Sequence, residues 1–209
     1  MRRLVLLAAL VAAGCGHRAP PPTAPLPAPA EKDLPRPDAI PGTFAVRQKL
    51  TARSAHGGGG FEAVLQKKPG ELVLVGLTPF GSRAFLLRQT NAGVELTKYV
   101  SRELPFAPTF ILLDVHRVLD AWLGPPPSGD AERTGEVTGE RLRERWRAGR
   151  LVERVFSRVP GAAPGEPPGD VTVTYEGAGP AGLAARVTLR NARFGYELTI
   201  DSVALGGGP

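Results

Sequence analysis

Cysteine, histidine and aromatic residues are scarce in this chain of 209 residues: one Cys, three His, and Phe, Trp and Tyr together at 6%. A single cysteine, Cys15, leaves no partner for an internal disulfide, so the folded part must rest on packing alone. His17, His56 and His116 show no metal-ligand spacing, and no metal site is expected. No P-loop, dinucleotide fingerprint or calcium loop is present, so no cofactor is expected either. Paired Glu and Asp on strands are too common to nominate an acid–base dyad, and the chain is read as a non-enzyme. His116 falls on the polar side of the one predicted helix and is expected to be solvated.

What is present begins at the N-terminus. Arg2 and Arg3 precede an apolar run from residue 4 to 13, too short to cross a bilayer and of the length of a secretory signal. The run leads into Ala12-Ala13-Gly14-Cys15, which resembles the lipobox of bacterial lipoproteins, with alanine where leucine is commoner. That resemblance implies that residues 1–14 are a signal peptide, cleaved before Cys15. It further implies a diacylglyceryl thioether on the Cys15 sulfur and an acylated amino terminus. Lipidation would leave the chain without a thiolate nucleophile. Gly16 follows the cysteine; under the sorting rule of enteric bacteria, the absence of Asp there points to the outer membrane and its periplasmic face.

Residues 15–42 then form the lipidated cysteine and a tether, with nine prolines between residues 16 and 42. Such a composition favours extended polyproline II and buries no core. The domain is expected over residues 43–209. Without residues 1–14 the chain keeps 24 basic and 20 acidic side chains, a net charge of 24 − 20 = +4. Nucleic acid is not an expected partner for a secreted, tethered domain. The expected partner is the membrane that holds the anchor, with lipid or lipoprotein cargo, and the domain is expected to be monomeric.

Period-two alternation dominates the domain. Strands are predicted at 43–53, 61–67, 71–77, 82–90, 93–100, 170–176, 185–191 and 194–204, joined by turn signals such as Lys68-Pro69-Gly70. Short connections argue an antiparallel meander. Between residues 100 and 124 the period changes. Ile111, Leu112, Val115, Val118, Leu119 and Trp122 predict one amphipathic helix, opened by Pro108-Thr109 and stopped by Gly124-Pro125. Residues 139–158 fit a helix by propensity, but a hairpin turning at Ala148-Gly149 is favoured, because glycine costs a helix centre about 1 kcal/mol. The hairpin puts Leu142 and Trp146 on one face and Arg141, Arg143, Arg145 and Arg147 on the other.

The order of these segments resembles LolB, the outer-membrane lipoprotein receptor, and its relatives. A strand ending in Leu77-Thr78-Pro79-Phe80-Gly81, a following strand, a Leu104-Pro105-Phe106 approach and a helix closed by Trp122-Leu123-Gly124 match that family's plan over residues 42–124. The nearest likeness is to a bacterial lipoprotein family of unknown function, distantly similar to the LolA/LolB carrier and receptor. The resemblance implies a mainly β domain, an incomplete antiparallel β-barrel whose apolar concave side is covered by a helix and able to hold acyl chains. It also sets Phe80 at the protruding leucine that LolB relatives use to deliver lipid-modified cargo.

Two site candidates follow. The loop Leu77, Pro79, Phe80 places apolar residues where a turn normally carries polar ones; Phe80 either contacts lipid or folds back as a core cap. The face of Arg141, Arg143, Arg145 and Arg147 either meets anionic headgroups or is solvated and paired with glutamates. His56-Gly57-Gly58-Gly59-Gly60 has the form of an esterase oxyanion loop, but no Gly-x-Ser-x-Gly elbow accompanies it, and a glycine-rich hairpin loop is the better reading. Two functions remain: an envelope lipoprotein that binds or delivers an amphiphile, or a structural or assembly lipoprotein that holds no ligand and docks to a protein complex. An unfilled apolar cavity beneath the helix favours the first, a packed interior the second.

Overall fold

Alternating apolar and polar residues make strands whose two faces differ, and strands of this kind stabilise one another by burying the apolar face together. The computed structural model describes residues 29–55, 57–101, 107–159 and 168–205. The signal segment, Cys15 and the tether as far as residue 28 lie outside the described residues, as do His56 and Leu104–Phe106. Eleven strands form one sheet: β1 (Phe44–Ser54), β2 (Gly57–Lys68), β3 (Glu71–Leu77), β4 (Arg83–Thr90), β5 (Gly93–Lys98), β6 (Ala131–Val137), β7 (Glu140–Arg147), β8 (Arg150–Arg158), β9 (Val171–Ala178), β10 (Ala184–Asn191) and β11 (Tyr196–Ala204). Among the described residues a single α-helix, α1 (Pro108–Leu119), sits between β5 and β6.

The strand order is β5-β4-β3-β2-β1-β11-β10-β9-β8-β7-β6. All the pairings are antiparallel, and every strand pairs with its chain neighbours except across α1, where β5 and β6 are left as the two edges. The first and last strands close onto each other, with Leu50 opposite Ile200. Side chains near both edges reach the helix: Gln89 on β4 bonds His116, and Glu140 on β7 bonds Arg117. The sheet therefore curls round α1 from both sides. It is the incomplete antiparallel barrel with a covering helix that the sequence led us to expect.

One parity of each strand faces inward. Phe44, Val46 and Leu50 on β1, Leu65 on β2, Leu142 on β7 and Phe156 on β8 are buried in one cluster with Leu112 and Val118 of α1. Full burial of such a side chain contributes about 1.5–3 kcal/mol, which is what holds a fold without disulfides. Residues 139–158 form the hairpin, not a helix, with all four arginines of β7 outward. Its turn residues Ala148 and Gly149 both have positive φ (48° and 73°), the geometry of a tight two-residue hairpin turn.

Four expectations need correction. The folded body begins well before residue 43: Leu34 and Ile40 are buried in the core, and Asp38 accepts from the Gly70 backbone N–H at 2.7 Å. Prolines 35, 37 and 41 belong to this packed segment, where two 3-10 turns replace the extended tether. Residues 57–60 are not a loop, because they pair as the start of β2 with the end of β1. The helix stops at Leu119, where Asp120 turns extended, so Trp122 lies beyond it and donates to the His116 carbonyl at 3.2 Å. Finally, β6 was not foreseen. Its inward positions are Ala131, Arg133, Gly135 and Val137, too weakly apolar to betray a strand.

The two ends of the barrel differ in use. The chain enters at one end, where Asp38 meets the β2–β3 turn and the Glu31 carboxylate accepts from the Val94 N–H near the β4–β5 turn. The β3–β4 loop carrying Phe80 is at the other end of β3.

Candidate functional site

The β3–β4 loop is a closed turn. Thr78 N–H donates to the Ser82 carbonyl at 2.8 Å and Gly81 N–H to the Thr78 carbonyl at 2.9 Å, while the Thr78 and Ser82 hydroxyls lie 2.7 Å apart. Gly81 has φ +79°, a conformation in which a Cβ is strained, and this lets the turn close in so few residues. Leu77 is half-buried at the end of β3, Pro79 is exposed, and Phe80 is 96% exposed. Phe80 therefore does not cap the core. The hydrogen-bonded turn holds this large aromatic in water at the tip of the loop.

The neighbourhood is apolar as well. Tyr99 N–H donates to the Ala84 carbonyl at 2.9 Å, which sets Tyr99 and Val100 beside the foot of the loop. Tyr99 is 49% exposed and Phe61, inward-facing on β2 at this open end, 41%. Phe85 lies across Gly76, where an added Cβ would stand 2.1 Å from the ring, so glycine is required there.

The arginine face stands on a separate part of the sheet, with six strands between β3 and β7. Arg143 and Arg145 both reach Glu153, at 3.4 and 2.9 Å, and Arg147 lies 3.8 Å from Asp130. Arg141 stands opposite Glu136 and Ser157 in register. These are exposed, largely matched cross-strand pairs, each worth little.

Beneath the second half of α1 the interior is filled, and with charge. Arg117 donates to Asp114 at 3.0 Å and to both oxygens of Glu140 at 3.3 and 3.1 Å, and Glu140 also meets Arg193. Arg154 donates to Glu144 at 2.9 Å and to the carbonyls of Arg117 and Val118 at 3.0 Å, joined there by the Tyr175 hydroxyl at 2.9 Å. A cation at a helix C-terminus satisfies carbonyls that have no partner within the helix. Burial raises the Tyr175 pKa to about 12, so its proton stays in place. Burial works against the Arg117 charge, and Glu140 and Asp114 more than offset it, lifting its pKa above the ordinary arginine value.

His116 is not solvated as expected but fully buried, with Nδ1 2.8 Å from Asp120 Oδ1 and Nε2 2.8 Å from Gln89 Oε1. The Gln89 amide nitrogen donates to the Pro35 carbonyl at 2.7 Å, which turns its oxygen toward the ring, so Nε2 carries a hydrogen. This His–Asp pair has no access to a substrate and serves to bind α1 to β4. For the strand members of the cluster the signal was strand parity: Glu140 and Glu144 share the inward parity of Leu142 and Trp146.

Asp114 also bonds the Tyr196 hydroxyl, and burial pushes its carboxyl above the ordinary aspartate range despite Arg117, with the Glu140 charge adding to the rise. The fold thus binds this proton more tightly than the unfolded chain does. The stability it contributes is full below the unfolded value of about 4 and is lost as the pH rises through the raised value. Asp114→Asn carries no charge at any pH and is expected to reduce the fall of melting temperature with pH above about 4. An unchanged slope in thermal melts would show that Asp114 is not the group responsible.

These features place the chain among open antiparallel β-barrels that are closed by one helix, packed within, and apolar at one rim. Residues 45–204 match the family described as Protein of unknown function (DUF3261), and the chain belongs to that family. No curated protein matches it. Among solved structures it is similar to a crystal structure from Vibrio parahaemolyticus described as an outer membrane lipoprotein-sorting protein domain. That likeness has 10% identity and a TM-score of 0.44, covering 80% of this chain and 87% of the other.

Proposed function

We propose that this chain is a cell-envelope lipoprotein, anchored through Cys15 on the periplasmic face of the outer membrane, whose domain meets the acyl region of an amphiphile at the Phe80 rim. The observation that carries this reading is the exposure of Phe80 on a closed turn. An apolar ring gains roughly 25 cal/mol for each Å² moved from water into hydrocarbon. The contact is at the rim and not a chain housed beneath the second half of α1, because ion pairs occupy that space.

Phe80→Glu tests it, in a chain starting at Gly16 that keeps every described residue. Binding to phosphatidylcholine vesicles is expected to be lost, since a carboxylate strongly disfavours hydrocarbon. The melting temperature should barely move, as for other surface substitutions of about 0.5 kcal/mol or less. Retained vesicle binding defeats the reading. The filled space beneath α1 favours a second reading, an envelope lipoprotein that holds no ligand and docks to a protein complex. Flotation of the wild type with protein-free vesicles separates the two, since only the first reading expects binding there.

A further inference from the structure

The end of the barrel that carries Phe80 has an unusual charge distribution on its β1–β5 side. Residues 39–61, 72–94 and 96–102 contain no Asp or Glu. These stretches supply the β1–β2 hairpin, the β3–β4 loop and the end of β5, all of which point the same way. The hairpin runs past β3: β1 and β2 stay paired to Ser54 and Gly57, whereas β3 leaves β2 at Glu62. The charges here are basic. Arg53 is the second-last residue of β1 and Arg83 opens β4 at the foot of the Phe80 loop, with Lys98 opposite Phe85.

Several arginines elsewhere on the outer wall are matched by carboxylates, as in Arg88 with Glu71 at 3.1 Å and Arg190 with Glu197 at 2.8 Å. Arg53 and Arg83 are exposed and form no ion pair among the described residues. Unpaired guanidiniums beside a protruding aromatic complement a surface that is negative outside and apolar beneath, and the nearest carboxylates, Glu62 opposite Leu77 and Glu197 opposite Arg53, are already held by Arg47 and Arg190.

We propose that this rim docks on a bilayer containing anionic phospholipid, with Phe80 entering the acyl boundary while Arg53 and Arg83 lie at the headgroup phosphates. The inference rests on the Phe80 contact proposed above and adds the chemistry of the surface it meets. The bilayer is favoured over an acidic protein because the apolar residues sit at the tip of a protruding turn and not in a groove. Such a shape inserts into a fluid surface more readily than it seals against a rigid one.

The test uses the chain from Gly16 in flotation with vesicles of phosphatidylcholine alone or with phosphatidylglycerol added. The wild type should favour the anionic vesicles. The variant Arg53→Gln/Arg83→Gln should lose about 5-fold in partitioning per charge, about 30-fold in all, on anionic vesicles, and little on neutral ones. Arg141→Gln/Arg147→Gln, which removes the same charge from β7, should leave partitioning unchanged. An equal loss from both pairs of substitutions would assign the effect to net charge and overturn the proposal. Equal wild-type binding to both kinds of vesicle would overturn it while leaving the Phe80 contact intact. Binding to neither would overturn both, and melting curves of each variant exclude loss of fold as the cause.

Discussion

Replacing Glu140 with alanine is expected to lower the melting temperature by about 10 °C, corresponding to roughly 3–5 kcal/mol. Its carboxylate faces two guanidiniums, those of Arg117 and Arg193, whose side chains are only 5% and 4% exposed. Two cations so placed have been taken out of water, and the anion between them is what makes that tolerable. Removing it costs more than the ion pair itself contributes, because the cations stay buried. Glu140→Gln keeps the volume and loses the charge, so it should be nearly as damaging. If glutamine restored wild-type stability, packing and not charge would be the cause. A loss below about 1 kcal/mol for alanine would place Glu140 among ordinary exposed pairs. The damage should reach the Phe80 end, because Arg117 is where β7 grips α1, and α1 begins at that end.

Cys15→Ser is expected to abolish incorporation of radiolabelled palmitate and to leave an uncleaved precursor, while the wild type fractionates with the outer membrane. Serine is nearly isosteric, but the thioether needs sulfur, and the chain has no second cysteine to substitute. Each acyl CH₂ buried contributes about 0.8 kcal/mol, so several chains on one residue hold firmly where one would be marginal. Loss of anchoring should therefore be complete and not graded. Equal labelling of both forms would refute lipidation at Cys15.

The parts of the fold that the sequence made legible are those where one strand face is uniformly apolar or uniformly charged. The β7–β8 hairpin could be read because arginine occupies every second position and Ala148-Gly149 marks the turn. The helix could be read from Ile111 to Leu119, but its end could not. Trp122 continues the apolar spacing while packing its ring edge-on against Phe156, 6.0 Å between centroids, from outside the helix. β6 escaped because its inward Arg133 looks polar. In place, that guanidinium covers the Trp146 ring at 5.8 Å and donates to the Leu123 and Pro125 carbonyls, a contact no local pattern announces. Leu34 and Ile40 escaped for the opposite reason: two apolar residues among prolines carry no period, and only the core they enter gives them meaning.

The Phe80 loop was legible as an oddity of composition, and its exposure was not. Whether an aromatic in a turn folds inward depends on whether a vacancy awaits it, and here Phe85 already covers Gly76 beneath. The ion-paired interior could not be assigned partners either, since Glu140, Arg117 and Arg193 are brought together by α1, β7 and the β10–β11 connection, far apart in the chain.

The entry of the chain at the end opposite Phe80 fixes what an anchored form can reach. β3 separates the two ends and, at seven residues, measures about 23 Å. Residues 16–30, fully extended as polyproline, would run to about 45 Å. A leash longer than the body it holds lets the body somersault. In the anchored form proposed above, the domain could then lie with its aromatic tip down against the leaflet that holds its anchor, or stand with the tip outward. A leash shorter than the barrel would have permitted only the outward posture.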